Sequence, residues 1–335
     1  MNEVLMVELF IISFIVIFLL LRLHISIARK RGILAPDVHK LGQPQIPTMG
    51  GVVFFSLIPI YLSLIYVIGE VTHRRVPIFN EILAIIATIT IAGLIGLIDD
   101  LHDLGLKKVP LTIVCVIPIL VLRAYYPRLI IPFIGPIRIT IVYPLLLIIA
   151  FPVVINAINM IDTHNGVMLS AVMSILTPLL IWALIKRDVI SATYIVIALG
   201  ATLAFFVWNK YPAKVFLGNV GSYFMGGLLI MLIVISKLEY IALVAMFPII
   251  LHAFYLLTSI KGLMTREKIG EKIGRPVLIK DAVIYPSLDP KAPLVLDRII
   301  LIANGPMTEK ELIKKFYTIF AFSAILALLT GFLLP

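Results

Sequence analysis

The sequence predicts an all-α polytopic membrane protein, folded as a single integral-membrane domain over residues 1–335. Of these residues 61% are hydrophobic and only 14% are charged. An average soluble domain is about 45–50% apolar and about 25% charged, so a water-soluble globule could not bury this much apolar surface. With 20 Gly, 21 Pro and one Cys, the composition also excludes collagen-like and disulfide-scaffold proteins.

Apolar runs of about 20 residues, the length that crosses a bilayer, recur along the whole chain. We expect ten spans, near residues 4–23, 51–69, 81–98, 109–124, 140–158, 166–185, 190–208, 218–236, 240–257 and 316–334. The fourth and fifth contain prolines (Pro118, Pro144 and Pro152), which membrane helices tolerate when neighbours satisfy the freed backbone groups.

Lysine and arginine are distributed unevenly between the loops. Loops after the odd-numbered spans hold 19 of the 28, and loops after the even-numbered spans hold 7. The positive-inside rule then places the odd-numbered loops in the cytoplasm and both termini outside. Most of the excess lies in the long loop 258–315. The net charge of +10 therefore favours anionic ligands at a membrane surface and argues against a nucleic-acid partner.

The long loop 258–315 is predicted to contain a small β-structure. Residues 276–285 and 294–303 are rich in β-branched side chains and partly alternate, which predicts a hairpin. Thr308 and Glu311 have the spacing of a capping box, so the last helix is expected to begin there.

Polar residues concentrate in four segments, each in an odd-numbered loop or at a span end facing one. The segments are 47–51, 99–108, 156–166 and 216–222. Polar groups at a membrane edge are costly, so their convergence on one face predicts a single site built from several loops.

These segments offer oxygen ligands and positive charge. Asp99 and Asp103 share a helix face if the third span continues, and Asn159 and Asp162 supply a second pair of oxygens. Such ligands favour Mg²⁺ or Mn²⁺ over zinc. Together with nearby lysines they suit phosphoryl transfer, where positioning and charge neutralisation dominate catalysis.

Simpler interpretations exist for each motif. The acid pair is also typical of a solvated helix end, and Asn-x-x-Asn of capping or interhelical hydrogen bonds. The glycines that flank Asn219, Gly218 and Gly221, would let a ligand approach the protein backbone closely, but they also permit close helix packing. His102, His164 and His252 are interpreted as packing or hydrogen-bonding residues, and the other three histidines carry no signal.

At these residues the chain resembles the polyprenyl-phosphate N-acetylhexosamine-1-phosphate transferases. The resemblance rests on GLIDDLHDL, NAINMIDTHNGV and WNKYPAKVFLGNVGSYFMGG, in that order, and covers nearly the whole chain. GPMTEKEL near the end is more similar to the eukaryotic and archaeal branch, which uses dolichyl phosphate, than to the bacterial one.

The resemblance implies ten helices, a cytoplasmic active site and a requirement for Mg²⁺. It also implies a reaction in which a polyprenyl phosphate attacks the β-phosphate of a UDP-N-acetylhexosamine and releases UMP. GlcNAc is the default sugar and dolichyl phosphate the lipid of that branch. The resemblance is also compatible with a homodimer. With no retention signal at the end of the chain, we expect an archaeal plasma membrane.

The family's site residues carry over by position. Asn159 matches a metal ligand or a diphosphate contact, Asn165 and Phe216 match uridine-binding positions, and the acid pair matches carboxylates near the lipid phosphate and the metal. Either lysine of the second segment matches a family lysine, and either of two arginines of the long loop matches a diphosphate contact. The acids are Asp99 and Asp100, the lysines Lys107 and Lys108, and the arginines Arg266 and Arg275.

One position departs from the family pattern. Where the family has Gly-Asp, with the Asp a metal ligand, this chain has Gly218-Asn219. Asp162 stands where the bacterial branch has an Asp, so we expect it to supply the missing charge. The alternative is a divergent paralogue without activity. A transporter is disfavoured, because transporters place polar sites at the bilayer midplane, often within repeats.

Overall fold

The computed structural model describes residues 3–40, 42–72, 75–131, 133–260, 262 and 273–333, and helices dominate them. The helices are α1 (Glu3–Arg31), α2 (Leu57–Thr72), α3 (Arg75–His102), α4 (Lys108–Leu111), α5 (Ile117–Val121), α6 (Val142–Met160), α7 (Val167–Ile185), α8 (Val189–Asn209), α9 (Gly218–Ser236), α10 (Glu239–Ala245), α11 (Phe247–Ser259), α12 (Leu296–Asn304) and α13 (Glu309–Gly331). Among the described residues, seven helices are long and apolar enough to cross a membrane, or eight if the bent pair α10–α11 is one span. The predicted helical membrane class is confirmed, whereas the count of ten is not confirmed.

Two predicted spans differ because their backbone is irregular. The span 51–69 begins as a 3₁₀ helix, Gly50–Ser56, before α2. The span 109–124 is divided into α4, a 3₁₀ segment Thr112–Val116 and α5. Pro110 and Pro118 lie in this stretch, and each proline removes an amide donor and clashes with the preceding turn.

The span 240–257 is bent by 64° between α10 and α11. Pro248 is in the first turn of α11 and cannot bond the carbonyl of Val244. The hydroxyl of Ser323 on α13 donates to the Val244 carbonyl at 2.7 Å and to the Ala245 carbonyl at 3.1 Å. A side chain of another helix thus satisfies the groups that the bend frees.

Helix α9 is the centre of the bundle. Every residue from Val220 to Ser236 is buried, as expected for a helix that is apolar on all sides. It packs against α3 and α6, while α8 packs against α1 and α7, and α13 packs against α7. The first turn of α9 therefore lies where several other helix ends meet.

Short antiparallel strands form three small sheets. The strands are β1 (Leu34–Pro36), β2 (Gln45–Pro47), β3 (Arg128–Ile131), β4 (Gly135–Arg138), β5 (Val277–Lys280), β6 (Val283–Pro286) and β7 (Met307–Thr308). They pair as β1–β2, β3–β4 and β5–β6–β7.

The structure corrects the hairpin predicted for the long loop. Both strands of the hairpin, β5 and β6, come from the single segment 276–285, joined by two residues with positive φ, Asp281 and Ala282, as in tight hairpin turns. The segment 294–303 mostly forms α12, which buries Leu296, Ile300 and Leu301 along one face. The predicted capping box is confirmed: Thr308 and Glu311 bond reciprocally at the start of α13.

Candidate functional site

The first turn of α9 joins two of the four polar segments through their backbones. The amide of Phe216 donates to the carbonyl of Pro47 at 2.8 Å. In return, the amides of Gly50 and Gly51 donate to the carbonyls of Phe216 and Leu217, both at 2.9 Å. The segment that precedes α9 is thereby held against the 47–51 turn.

The glycines of this region have two roles: Gly51 and Gly221 allow close packing, and Gly218 adopts a positive φ angle. A Cβ atom on Gly51 would lie 2.1 Å from the Cα of Gly221, so these two backbones touch. Gly221 therefore serves close packing between segments, as the simpler interpretation held, and Leu217 and Gly51 fill the space in which a ligand could approach its backbone. Gly218 has φ +72°, and a Cβ there would lie 2.6 Å from Asp100 Oδ2.

Asp100 at the end of α3 caps α9. Its Oδ1 accepts the amide of Asn219 at 2.8 Å, and its Oδ2 accepts the amide of Val220 at 2.9 Å. A carboxylate at a helix N-terminus satisfies unpaired amides and complements the helix dipole. Sequence reasoning missed this contact, because a carboxylate capping a different helix leaves no local pattern. The catalytic role predicted for Asp100 stays a prediction.

Asp99 forms a buried ion pair with Lys108. The carboxylate is 4% exposed, its Oδ2 lies 2.7 Å from Lys108 Nζ, and its Oδ1 accepts the amide of Leu104 at 2.9 Å. Lys107 is exposed. Because α3 ends at His102, Asp103 is exposed with φ 41° and does not share a helix face with Asp99, contrary to expectation.

Asn159 and Asn219 bring the third and fourth segments together. Nδ2 of Asn159 donates to Asn219 Oδ1 at 2.9 Å and to Ser222 Oγ at 2.8 Å. Asp162 follows in the turn after α6, where its amide donates to the Asn159 carbonyl at 3.4 Å. All three predicted ligands are partly exposed.

This set of donors fits Mg²⁺ chemically. Proteins bind Mg²⁺ with one or two carboxylates, leaving positions for water and substrate phosphates. The set contains one carboxylate, Asp162, and two amides, and rotation of either amide would present its oxygen to a cation. We call Asp99, Lys108, Asn159, Asp162 and Asn219 the amide–carboxylate centre.

The two predicted uridine-binding residues contact the same hairpin, β1–β2. Asn165 is buried, and its Nδ2 donates to Asp37 Oδ2 at 3.1 Å just after β1. Phe216, which is partly exposed, bonds Pro47 at the end of β2. The hairpin thus links the positions of these residues to each other.

Of the two candidate arginines, Arg275 is exposed just before β5, and Arg266 lies outside the described residues. Arg298 of α12 was not among the predictions. It is buried and donates to the carbonyls of Ser287, Asp289 and Ala292. Arg298 therefore organises the loop after β6.

A second polar cluster, which the sequence did not reveal, lies beside Asn165. We call it the histidine cluster: His39, His164, Asp297 and Glu309. The two imidazole rings are 4.2 Å apart between centroids, and Glu309 Oε1 lies 3.6 Å from His164 Nδ1. On the other side of the ring, His164 Nε2 lies 3.8 Å from Asp297 Oδ1. The prediction that His39 carries no signal is therefore wrong.

The surroundings shift the pKa values of the two histidines in opposite directions. Burial, aided by the neighbouring His164, lowers the pKa of His39 to about 4. Burial also lowers the pKa of His164, but the carboxylates of Glu309 and Asp297 outweigh it, so the pKa of His164 is raised.

Fold and site together define an integral-membrane protein whose helix bundle carries a centre of carboxylates and amides at one end. Residues 82–237 match the family described as glycosyl transferase family 4. The chain belongs to this family, and the resemblance seen in the sequence is confirmed.

Two relatives illustrate its branches. A protein of Saccharolobus solfataricus, provisionally named a UDP-N-acetylglucosamine–dolichyl-phosphate N-acetylglucosaminephosphotransferase, is 32% identical over 65% of this chain and 67% of its own length. The phospho-N-acetylmuramoyl-pentapeptide-transferase of Streptococcus thermophilus is 30% identical over 69% of this chain and 71% of its own length.

Proposed function

We propose that this protein transfers N-acetylglucosamine-1-phosphate from UDP-N-acetylglucosamine to dolichyl phosphate, releasing UMP. The single observation that carries the proposal is the meeting of four polar segments at the first turn of α9, within a chain of glycosyl transferase family 4. The sugar and the lipid follow the name of the archaeal relative. The reaction is the first step of lipid-linked glycan assembly.

In the reaction, an oxygen of the lipid phosphate forms a bond to the β-phosphorus of the nucleotide sugar. The bond from that phosphorus to the oxygen bridging to the α-phosphate breaks, and UMP leaves with the electron pair. Both reactants are anions, so catalysis needs positive charge and fixed positions more than a strong base.

Each part of the centre has a role in this scheme. Lys108, held in place by Asp99, offers positive charge to the lipid phosphate, and the exposed Lys107 is available to the same anion. Asn165 and Phe216 hold the uridine by hydrogen bonding and stacking. Asp100 positions Asn219 through the backbone of α9.

Asn159, Asp162 and Asn219 would hold Mg²⁺. When bound, this ion neutralises charge on the diphosphate. Because Asn219 is neutral, Asp162 is the one carboxylate among the three. We propose that Asp162 supplies the charge that an Asp at position 219 would supply elsewhere in the family. Arg275 or Arg266 would hold the diphosphate from the long loop.

The proposed location of the site is the cytoplasmic face of an archaeal plasma membrane. The segments of the site follow α1, α3, α6 and α8, on the side that the positive-inside rule assigns to the cytoplasm, and outside the long loop the loops of this side hold 8 lysines and arginines against 7 on the other side. Nucleotide sugars are cytoplasmic metabolites, which agrees with the positive-inside orientation.

The test uses purified full-length protein in detergent, with labelled UDP-N-acetylglucosamine, dolichyl phosphate and Mg²⁺. We expect UMP release and transfer of label to the lipid, both dependent on the lipid phosphate. Asp281→Asn, in the β5–β6 turn, is a matched control for carboxylate substitutions and should behave like the wild type. No UMP release with any UDP-sugar would favour the non-catalytic paralogue and refute the transferase.

A further inference from the structure

The histidine cluster has the composition of a metal site. His39, His164 and Glu309 each offer one ligand atom, and these atoms all lie within 4.8 Å of one another. The distances from Glu309 Oε1 to the two Nδ1 atoms are 3.6 Å (His164) and 4.0 Å (His39). Both are too long for hydrogen bonds. Ligand atoms around a tetrahedral Zn²⁺ are on the order of 3.3 Å apart, so a bound cation would draw these atoms together by about 1.5 Å at most.

Unpaired buried atoms point to a missing ligand. His164 Nδ1 and both carboxylate oxygens of Glu309 are fully buried without a hydrogen-bond partner. The side chains of His164 and Glu309 are 1% and 4% exposed. Buried polar atoms are almost always paired, so the unpaired His164 Nδ1 and Glu309 Oε1, which approach each other to 3.6 Å, require an explanation such as a bound ion.

The surrounding residues are arranged as an outer shell. Asp297 Oδ1 faces His164 Nε2 at 3.8 Å, which leaves Nδ1 for the cation, as in carboxylate–histidine–zinc arrangements. Thr163 Oγ1 donates to the same Asp297 oxygen at 3.4 Å. Lys40 Nζ lies 3.5 Å from Glu309 Oε2, whereas Oε1 is the carboxylate oxygen that approaches the two histidines.

The ligand types select the metal. Two imidazoles and one carboxylate suit Zn²⁺, whereas Mg²⁺ prefers oxygen ligands alone. Imidazoles bind metals in their neutral form, so binding of the ion would release any proton that either histidine carries.

We propose that His39, His164 and Glu309 bind a Zn²⁺ ion, separate from the Mg²⁺ of the amide–carboxylate centre, with Asp297 orienting His164. The ion would join the loop after β1, the turn between α6 and α7, and the start of α13. The ion would have a structural role, holding these three segments together beside Asn165. This inference does not depend on the transferase reaction, because its readout is bound metal.

The test measures zinc in tag-free full-length protein in detergent. The protein is stripped with a chelator, dialysed against Zn²⁺ in the presence of excess Mg²⁺, and analysed by elemental mass spectrometry. We expect one Zn²⁺ per chain. Co²⁺ in place of Zn²⁺ should give the visible absorption of a tetrahedral nitrogen–oxygen site.

Variants assign the ion to the cluster. His164→Gln and Glu309→Gln should lower the Zn²⁺ affinity by at least about 100-fold, and Asp297→Asn by about 10–100-fold. His102→Gln removes an exposed histidine and should leave affinity unchanged. His39→Gln, at the partly exposed rim, provides a ligand variant if the buried ones do not fold.

Two results would overturn the proposal. One is wild-type protein that binds no Zn²⁺ above a detergent blank. The other is stoichiometric Zn²⁺ whose affinity is the same in His39→Gln as in the wild type. Loss of UMP release with zinc still bound would count against the transferase alone.

Discussion

The amide–carboxylate centre and the histidine cluster lie at the same end of the bundle but are built differently. In the first, polar atoms bond one another or backbone amides, as between Asn159 and Asn219, and the predicted metal ligands remain partly exposed. In the second, His164 and Glu309 are buried and retain unpaired atoms. The first is suited to substrates that enter and leave, and the second to a permanently held ion.

The two clusters also differ in how the chain assembles them. The amide–carboxylate centre comes from short motifs that end or begin long helices. The histidine cluster joins positions 39, 164, 297 and 309, which no local spacing connects. The predictions below test whether the two regions are as separate as their construction indicates.

The largest expected effect is on the rate of transfer. Asp162→Asn removes the single carboxylate among the proposed Mg²⁺ ligands, so kcat should fall by about 10²–10³-fold. UMP release by purified protein at saturating substrates measures it, with Asp281→Asn as the control. A rate equal to that of the wild type would exclude Asp162 from the metal site.

The next effect is on stability and compares two neighbouring lysines. Lys108→Ala leaves Asp99 buried without a counter-charge and should lower the free energy of unfolding by about 2–3 kcal/mol, less than for a fully buried pair because Lys108 is 24% exposed. Lys107→Ala removes an exposed charge and should change it by less than about 0.5 kcal/mol. Denaturation in detergent distinguishes them, and equal losses would contradict the assigned ion pair.

A smaller effect is expected at the cap of α9. Asp100→Ala removes both acceptors of the Asn219 and Val220 amides and should cost about 1–2 kcal/mol. Asp100→Asn keeps one acceptor and is a good capping residue, so it should recover most of that loss. Thermal unfolding of both variants provides the comparison. If Asn were as destabilising as Ala, capping would not explain the role of Asp100.

No effect on Zn²⁺ binding is expected from a substitution in the amide–carboxylate centre. Asp162→Asn should bind the same amount of Zn²⁺ as the wild type, because the ligands proposed for zinc do not include Asp162. Elemental analysis of the two proteins measures this. Loss of zinc in Asp162→Asn would mean that the clusters share one metal.

Much of the fold could be predicted from the sequence because long apolar runs leave few alternatives. The span predicted at 218–236 has the same bounds as α9. The predicted elements were wrong where the backbone is irregular, as in the span that contains Pro110 and Pro118. They were also wrong where β-branched residues form a helix. In 294–303, the burial of Leu296, Ile300 and Leu301 on one helix face outweighed β-propensity.

The site likewise contains residues that the sequence indicated and contacts that it did not. The sequence indicated Asn159 and Asn219 because both lie at span ends within polar motifs. It did not indicate that Asp100 caps α9, or that Glu309 approaches His39, because both contacts depend on tertiary packing.

The most direct test of the proposed charge arrangement is a double substitution, Asp162→Asn with Asn219→Asp. It moves the carboxylate from the turn after α6 to the first turn of α9 and leaves the total charge unchanged. If Mg²⁺ needs one carboxylate among its three proposed ligands, the double variant should retain at least about a tenth of wild-type UMP release, well above the rate of Asp162→Asn alone, which should be about 10²–10³-fold below that of the wild type. Activity in the double variant as low as in the single one would contradict the claim that Asp162 replaces the charge missing at Asn219.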